Sequence, residues 1–186
     1  MNRHIEDLLQ PLRSGAANRG LQLSHLDLRV IARYAIDAVG PEMARRGHRL
    51  VVKLPEAPVW VNANGARLEQ VFSNLLINAA KYTPDGGDIA LTLDRESEQA
   101  WLRIRDSGVG IDPRMLLRIF GLFFQVGTAP PDGDGGRGIG LAVVRDIVEQ
   151  HGGTVTAMSA GLGLGSEFAV CLPARQARPE PVIVMA

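Results

Sequence analysis

Cys171 is the only cysteine in 186 residues. An internal disulfide framework and a cysteine-built zinc site are therefore excluded, which suits a reducing, cytoplasmic compartment. In "EFAVCLP" the thiol reads as a small core residue. Net charge is lacking too: 20 Lys plus Arg balance 20 Asp plus Glu, so no broad nucleic-acid or anionic-membrane surface is expected. Any anion has to be caught locally. No apolar run approaches the ~20 residues of a membrane span, and "MNRHIEDLLQ" is too polar for a secretory signal. Two phosphate signatures are also missing. There is no G-x-x-x-x-G-K-[ST] string, and Gly136, Gly138 and Gly140 run G-x-G-x-G after a polar loop, not G-x-G-x-x-G after a strand.

What is present, 46% hydrophobic and 22% charged residues, fits one globular domain with a sizeable core. In "RHIEDLLQPL", Ile5, Leu8, Leu9 and Leu12 have helical spacing, but so short a segment cannot bury that stripe alone. A breaker-rich linker, "RSGAANRG", follows, and 26–47 reads as an amphipathic helix with Asp27 as N-cap. "HRLVVKL" and "PVWVNA" read as strands. From Gly65, residues Leu68, Val71, Phe72, Leu75, Leu76 and Ala79 trace an apolar helical face that stops near Thr83-Pro84. "DIALTLDRE" and "QAWLRIRDS" form a hairpin, and "PRMLLRIF" (113–120) opens a further helix with Pro113 in its first turn. The polar stretch 127–136 reads as a mobile loop before a helix from about 138 to 150; strands "GTVTAMSA" and "SEFAVCLP" then close the domain. Helices alternating with hairpins predict an α+β, two-layer sandwich: a mixed, mostly antiparallel sheet with helices on one face. The expected division is a remnant helix plus linker over 1–25, one domain over 26–173 and a loose tail over 174–186.

Three constellations carry chemistry. Glycines at a helix start expose backbone N–H groups that, with the helix dipole, favour an anion; judged alone, 136–140 fits a flexible turn equally well. In "NLLINAAKY", Asn74, Asn78 and Lys81 share one stripe of the helix that begins at Gly65. They form either a solvated face or amide network, or a site in which an amide oxygen ligates Mg²⁺ and Lys81 adds positive charge. In "RDSGVGID", Asp106 before Gly108 and Gly110 is either a turn former or a carboxylate that accepts a hydrogen bond from an adenine amino group.

Taken together and in order, "NLLINAAKYTPDGG", "DSGVGID", "IFGLFFQ" and "GGRGIGLAVVRDIVEQHGG" resemble the N, G1, F and G2 boxes of the ATP-binding domains of sensor histidine kinases. Their wider class, the GHKL ATPases with the Bergerat fold, includes gyrase, the heat-shock 90 chaperones and MutL proteins. The resemblance implies ATP and Mg²⁺ as ligands, with Asn78 as metal ligand and Asn74, Lys81 and Tyr82 near the nucleotide. It implies that Asp106 recognises adenine, that Gly108 and Gly110 shape the base pocket, that Gly136, Gly138 and Gly140 hold phosphates, and that Ile111, Ile139 and Leu141 adjoin the nucleotide; Arg137, where many relatives carry Thr or Leu, either adds a phosphate contact or is solvated. A lid over about 126–136 would be anchored by Phe120, Phe123 and Phe124, and the "LF-x-Q" ending looks nearer to hybrid kinases.

Hydrolytic members of that class carry a Glu where this chain has Asn74, and an amide is no general base at neutral pH. Transfer of the γ-phosphoryl to a histidine is therefore expected over hydrolysis. None of His4, His25, His48 and His151 lies in a string like the kinases' H-E-x-R-T-P, so the acceptor is expected outside this chain. The implied partners are the dimerisation and phosphoacceptor hairpin of the same kinase, a response regulator or receiver domain, and a second copy of the full-length protein. A nucleotide-sensing module without chemistry and a serine kinase of the anti-sigma-factor type are the alternatives.

Overall fold

The computed structural model describes residues 22–121 and 139–176. Its elements are β1 (Ser24–Asp27), α1 (Leu28–Arg45), β2 (Arg49–Lys53), β3 (Trp60–Ala63), α2 (Gly65–Tyr82), β4 (Asp88–Glu96), β5 (Gln99–Asp106), α3 (Gly140–Gln150), β6 (Thr154–Met158) and β7 (Ser166–Pro173). Five strands form a sheet in the order β2-β4-β5-β7-β6, parallel between β2 and β4 and antiparallel elsewhere. β1 and β3 make a separate antiparallel pair, joined to the end of β7 by a bridge between Val61 and Ala174. This is the expected α+β sandwich. No described helix is long and apolar enough to cross a membrane.

Period-two alternation decides which sheet face is covered. β4 buries Ile89, Leu91 and Leu93 and β5 buries Ala100, Leu102 and Ile104, while the residues between them stay half-buried or exposed. The helices lie on that buried face. All six apolar residues expected on α2 are buried, and α2 packs against α1 on one side and α3 on the other. Phe72, fully buried in its centre, would cost about 3–5 kcal/mol if cut to alanine.

The far ends of α2 and α3 share one side chain. Asn64 caps α2 by accepting from the Arg67 N–H at 3.1 Å, and its own N–H donates to His151 Nε2 at 3.0 Å. His151 Nδ1 lies 2.7 Å from the Ile147 carbonyl oxygen, so the proton sits on Nδ1 and the ring is a buried structural link.

The structure departs from expectation at three places. Residues 113–120 are successive turns, not a helix: Met115, Leu116, Arg118 and Gly121 each bond back three residues, and only Ile119 bonds back four. The segment is too short to propagate a helix, Leu117 of its apolar stripe is 94% exposed, and Asp112 has drawn the Arg114 amide and guanidinium into a local turn. That Arg114 side chain holds the Asp112 carboxyl down at about 2. Second, Ser24–Asp27 is a strand rather than the linker and helix start; His25 stacks on Trp60 at 4.8 Å. Third, Ala174 and Arg175, read with the tail, donate backbone N–H groups to Glu98 and Trp60 carbonyls, both at 2.7 Å. Ile5 to Leu12, the 127–136 loop and the tail beyond 176 lie outside the described residues.

Asp27 closes the strand-to-helix corner. Its carboxylate accepts from the Arg29 and Val59 backbone amides, both at 3.1 Å, and pairs with the Arg29 guanidinium at 2.8 Å. Burial pushes this carboxyl up, but the hydrogen bonds from Arg29 and Val59 together outweigh it and hold it below its ordinary value. Asp27→Ala should cost about 1–2 kcal/mol in urea unfolding at neutral pH. The contribution is complete above the ordinary carboxylate range and fades as pH falls through the depressed folded-state value, so acid should close the gap between the two proteins.

Candidate nucleotide-binding site

The site begins with a register. β5 and β7 pair end to end, so Asp106, the last residue of β5, stands opposite Ser166, the first of β7. Asp106 is only 6% exposed. Its Oδ1 accepts from the Gly108 N–H at 2.8 Å and the Ser166 N–H at 3.3 Å, and its Oδ2 accepts from the Ser166 hydroxyl at 2.5 Å. A buried carboxylate is tolerable only with such partners, and these fix the plane of the group.

The loop after Asp106 is sewn into its neighbours on both sides. The Val109 N–H donates to the Tyr82 carbonyl at 3.0 Å, while the Val109 and Gly108 carbonyls accept from Gly163 at 2.7 Å and Gly165 at 3.1 Å. Ser159 Oγ accepts from the Ile111 N–H at 3.0 Å. Two glycines make this possible. A Cβ on Gly108 would stand 2.3 Å from the Tyr82 carbonyl oxygen; Gly110 has φ +69° and a Cβ there would stand 2.1 Å from the Gly161 oxygen.

Between this loop, the C-terminal half of α2, the start of β7 and the first turn of α3 lies a cavity. Asn78, Tyr82, Asp106 and Ser166 supply its polar groups, and Val109, Ile111, Ile119, Leu141 and Phe168 supply apolar wall. An apolar slot with few convergent polar groups is the usual form of a small-molecule site. The Asn78 amide makes no hydrogen bond among the described residues and is half-buried. Lys81 extends its Nζ over the Tyr82 ring, 5.2 Å from the centroid.

The N-terminus of α3 forms a second wall. Ile139 stands at its N-cap position and no side chain caps it, so the first-turn amides are left to another acceptor. A Cβ built on Gly140 would meet nothing within 4 Å, which leaves room beside those amides.

Of the residues expected in the site, Asn78, Tyr82, Asp106, Gly110, Ile111 and Leu141 line this one cavity. Gly108 backs it, and Phe120 meets the wall residue Phe168 edge to face, with centroids 6.3 Å apart. Asn74 and Lys81 lie on α2 on either side of Asn78, and Ile139 and Gly140 lead into Leu141, without lining the cavity themselves. Gly136, Arg137, Gly138, Phe123, Phe124 and the expected lid lie outside the described residues. Val109, Ile119, Ser166 and Phe168 were not anticipated. For Ser166 and Phe168 a signal existed: pairing "QAWLRIRD" end to end with "SEFAVCLP" sets Asp106 against Ser166 and Ile104 against Phe168.

Residues 63–176 match the family described as histidine kinase-, DNA gyrase B-, and HSP90-like ATPase. The sensor protein KdpD of Clostridium acetobutylicum is 37% identical over 128 residues, which cover 69% of this chain and 14% of KdpD. The sensor histidine kinase RcsC of Escherichia coli K12 is 40% identical over 119 residues, covering 64% of this chain and 12% of RcsC. Among solved structures, full-length ShkA in complex with AMPPNP superposes with a TM-score of 0.79 at 28% identity, covering 93% of this chain and 35% of that one. The family match, these relatives and the fold define an ATP-binding catalytic domain of the sensor-kinase type. The chain belongs to the histidine kinase-, DNA gyrase B-, and HSP90-like ATPase family, and it spans only about an eighth of the length of the curated sensor proteins it matches.

The crowding at Gly110 makes a direct prediction. Gly110→Ala combines a left-handed backbone with a backbone clash, and should lower stability by more than the roughly 1 kcal/mol of an unstrained exchange, read by thermal unfolding.

Proposed function

We propose that the cavity binds Mg·ATP and that the chain serves as the catalytic domain of a histidine kinase. The observation that carries this reading is the Asp106 carboxylate, buried and fixed at the edge of a largely apolar slot, with the Asn78 amide, unbonded among the described residues, on the facing helix. A flat heteroaromatic base with an exocyclic amine matches that slot: its rings meet Ile111, Ile119 and Phe168, and its N–H donates to Asp106. Gly110 lets this wall of the slot close against the Gly161–Gly163 backbone, where a Cβ would clash. The triphosphate would run toward the amides at the start of α3, which no side chain among the described residues caps, with Lys81 contributing charge.

The donor set fits Mg²⁺ of a particular kind. No group of three or more His, Cys, Asp or Glu side chains among the described residues could hold a metal alone. One neutral amide oxygen, from Asn78, suits an ion that keeps its waters and takes its remaining ligands from phosphate. Bound there, it would neutralise charge on the transferring phosphoryl group. Asn74, one turn before Asn78, cannot draw a proton from water, so the site holds a phosphoryl donor without a hydrolytic base.

The acceptor is then a histidine on another segment, whose ring nitrogen attacks the γ-phosphorus while the bond to the ADP oxygen breaks. The described histidines do not serve: His25 stacks on Trp60, His48 Nε2 bonds the Ala80 carbonyl at 3.0 Å, and His151 links two helices. A phosphoacceptor hairpin of the same kinase and a downstream receiver domain or response regulator are the proposed partners, within a homodimeric full-length protein.

Titration calorimetry tests the site. Asn78→Ala and Asp106→Ala should each weaken Mg·ATP binding by at least about tenfold, roughly 1.4 kcal/mol, with folding retained. Unchanged affinity in both would refute this placement of the pocket. Without nucleotide, Mg²⁺ alone should give no measurable heat. With an isolated hairpin supplied in trans, label from γ-labelled ATP should appear on its histidine; ATP binding without label would leave a sensing module in place of a kinase.

A further inference from the structure

An α-helix ends with four carbonyl groups that its own backbone does not satisfy, and their partners on α2 can be named in full. Ala79 O accepts from the Thr83 N–H at 3.1 Å, and Tyr82 O accepts from the Val109 N–H at 3.0 Å. The two between them are taken by side chains from the α1–β2 turn. Ala80 O accepts from Arg46 Nη1 and, at 3.0 Å, from His48 Nε2; Lys81 O accepts from the same Arg46 nitrogen at 3.2 Å. Arg46 Nε also donates to Asp85 Oδ1 at 2.8 Å. The stitching runs in the other direction too: the Gly86 N–H donates to the Arg46 carbonyl at 2.9 Å and the Arg49 N–H to the Gly87 carbonyl at 3.0 Å.

This turn clamps the one stretch of α2 that carries Asn78, Lys81 and Tyr82. We propose that Arg46, assisted by His48, is a positioning residue for the nucleotide site: it fixes the last turn of α2, and so the placement of Lys81 and Tyr82, from outside the cavity. The inference rests on the Mg·ATP reading above. Arginine suits the task because one planar fork reaches two helix carbonyls and a carboxylate at once, and its charge complements the negative end of the helix dipole. Lysine would keep the charge and lose the fork. Because Arg46 is the C-cap of α1, a shift of α1 along its axis reaches the Ala80 and Lys81 carbonyls through a single side chain.

The test compares two ligands, because Asp106 is held directly by Gly108 and Ser166 and feels Arg46 only through Tyr82, whereas Lys81 on the triphosphate side sits on the clamped turn itself. Affinity for Mg·AMPPNP and for adenosine is measured by calorimetry, or by displacement where heats are small, beside thermal unfolding. Arg46→Ala should lose about tenfold in Mg·AMPPNP affinity and less than about threefold in adenosine affinity. Arg46→Lys, the milder change should the alanine protein fail to fold, should show a smaller loss with the same selectivity. Arg145→Ala, which removes an exposed pair with Glu149 on α3, should change neither. Equal losses for both ligands, or no loss in a folded Arg46 variant, would overturn the proposal. Failure of the unaltered protein to bind either ligand would instead sink the nucleotide reading, and the clamp with it.

Discussion

The C-terminal carbonyls of α2 are a constraint that the rest of the molecule has to meet. A carbonyl shielded from water without a donor costs about 1–3 kcal/mol, and three of them, those of Ala80, Lys81 and Tyr82, need donors from beyond the helix where α2 ends. Donors come from two directions: Arg46 and His48 from the end of α1, and Val109 from the loop after β5. Satisfying the helix therefore brings α1 and the Asp106 loop to the same place. The cavity is the space left between elements that meet there for a backbone reason.

A second obligation sits opposite. Asp106 is buried at the end of β5, where an unpartnered carboxylate would cost several kcal/mol. Two backbone amides and the Ser166 hydroxyl offset that cost without using all the lone pairs of the two oxygens. The group is rigid and not saturated, which is the state an acceptor needs before its ligand arrives. Its three donors belong to the loop and to β7, so the register of β5 on β7 sets the direction in which the carboxylate can accept another bond. Slippage of that pairing by one residue would turn Ser166 to the other face.

Much of this was legible in sequence, for reasons that differ by element. The stripe of α2 was plain because Leu68 to Ala79 repeats with the helix period over three turns, and the structure buries every one of those residues. Asn78, Tyr82, Asp106, Gly110, Ile111 and Leu141 were found because they belong to short strings whose spacing is local. Ser166 and Phe168 escaped because their place depends on which strand pairs with which, a nonlocal fact that local spacing does not carry. β1 escaped because four residues are too few for alternation to declare itself. "PRMLLRIF" misled in the opposite sense: it has a helical start signal and apolar residues, yet Leu117 finds nothing to bury against and Asp112 bonds Arg114 locally. Arg46 was invisible for another reason, since a solvated arginine and one that caps a distant helix read alike.

Position 74 links these constraints to chemistry. On α2 it lies one turn before Asn78, and in the proposed Mg·ATP complex a carboxylate there would be the group to deprotonate water. The amide found there is neutral, cannot act as a base and adds no negative charge beside the phosphates. In the proposed Mg·ATP complex that arrangement would slow the loss of ATP to water while leaving the phosphoryl group in place for a stronger nucleophile. If the attacking nitrogen arrives on another segment, as proposed, the geometry would have to persist until it does. Fixing the end of α2 from two sides and locking Asp106 with three donors would provide that persistence, so that what holds the fold together would also prepare the site for the proposed transfer.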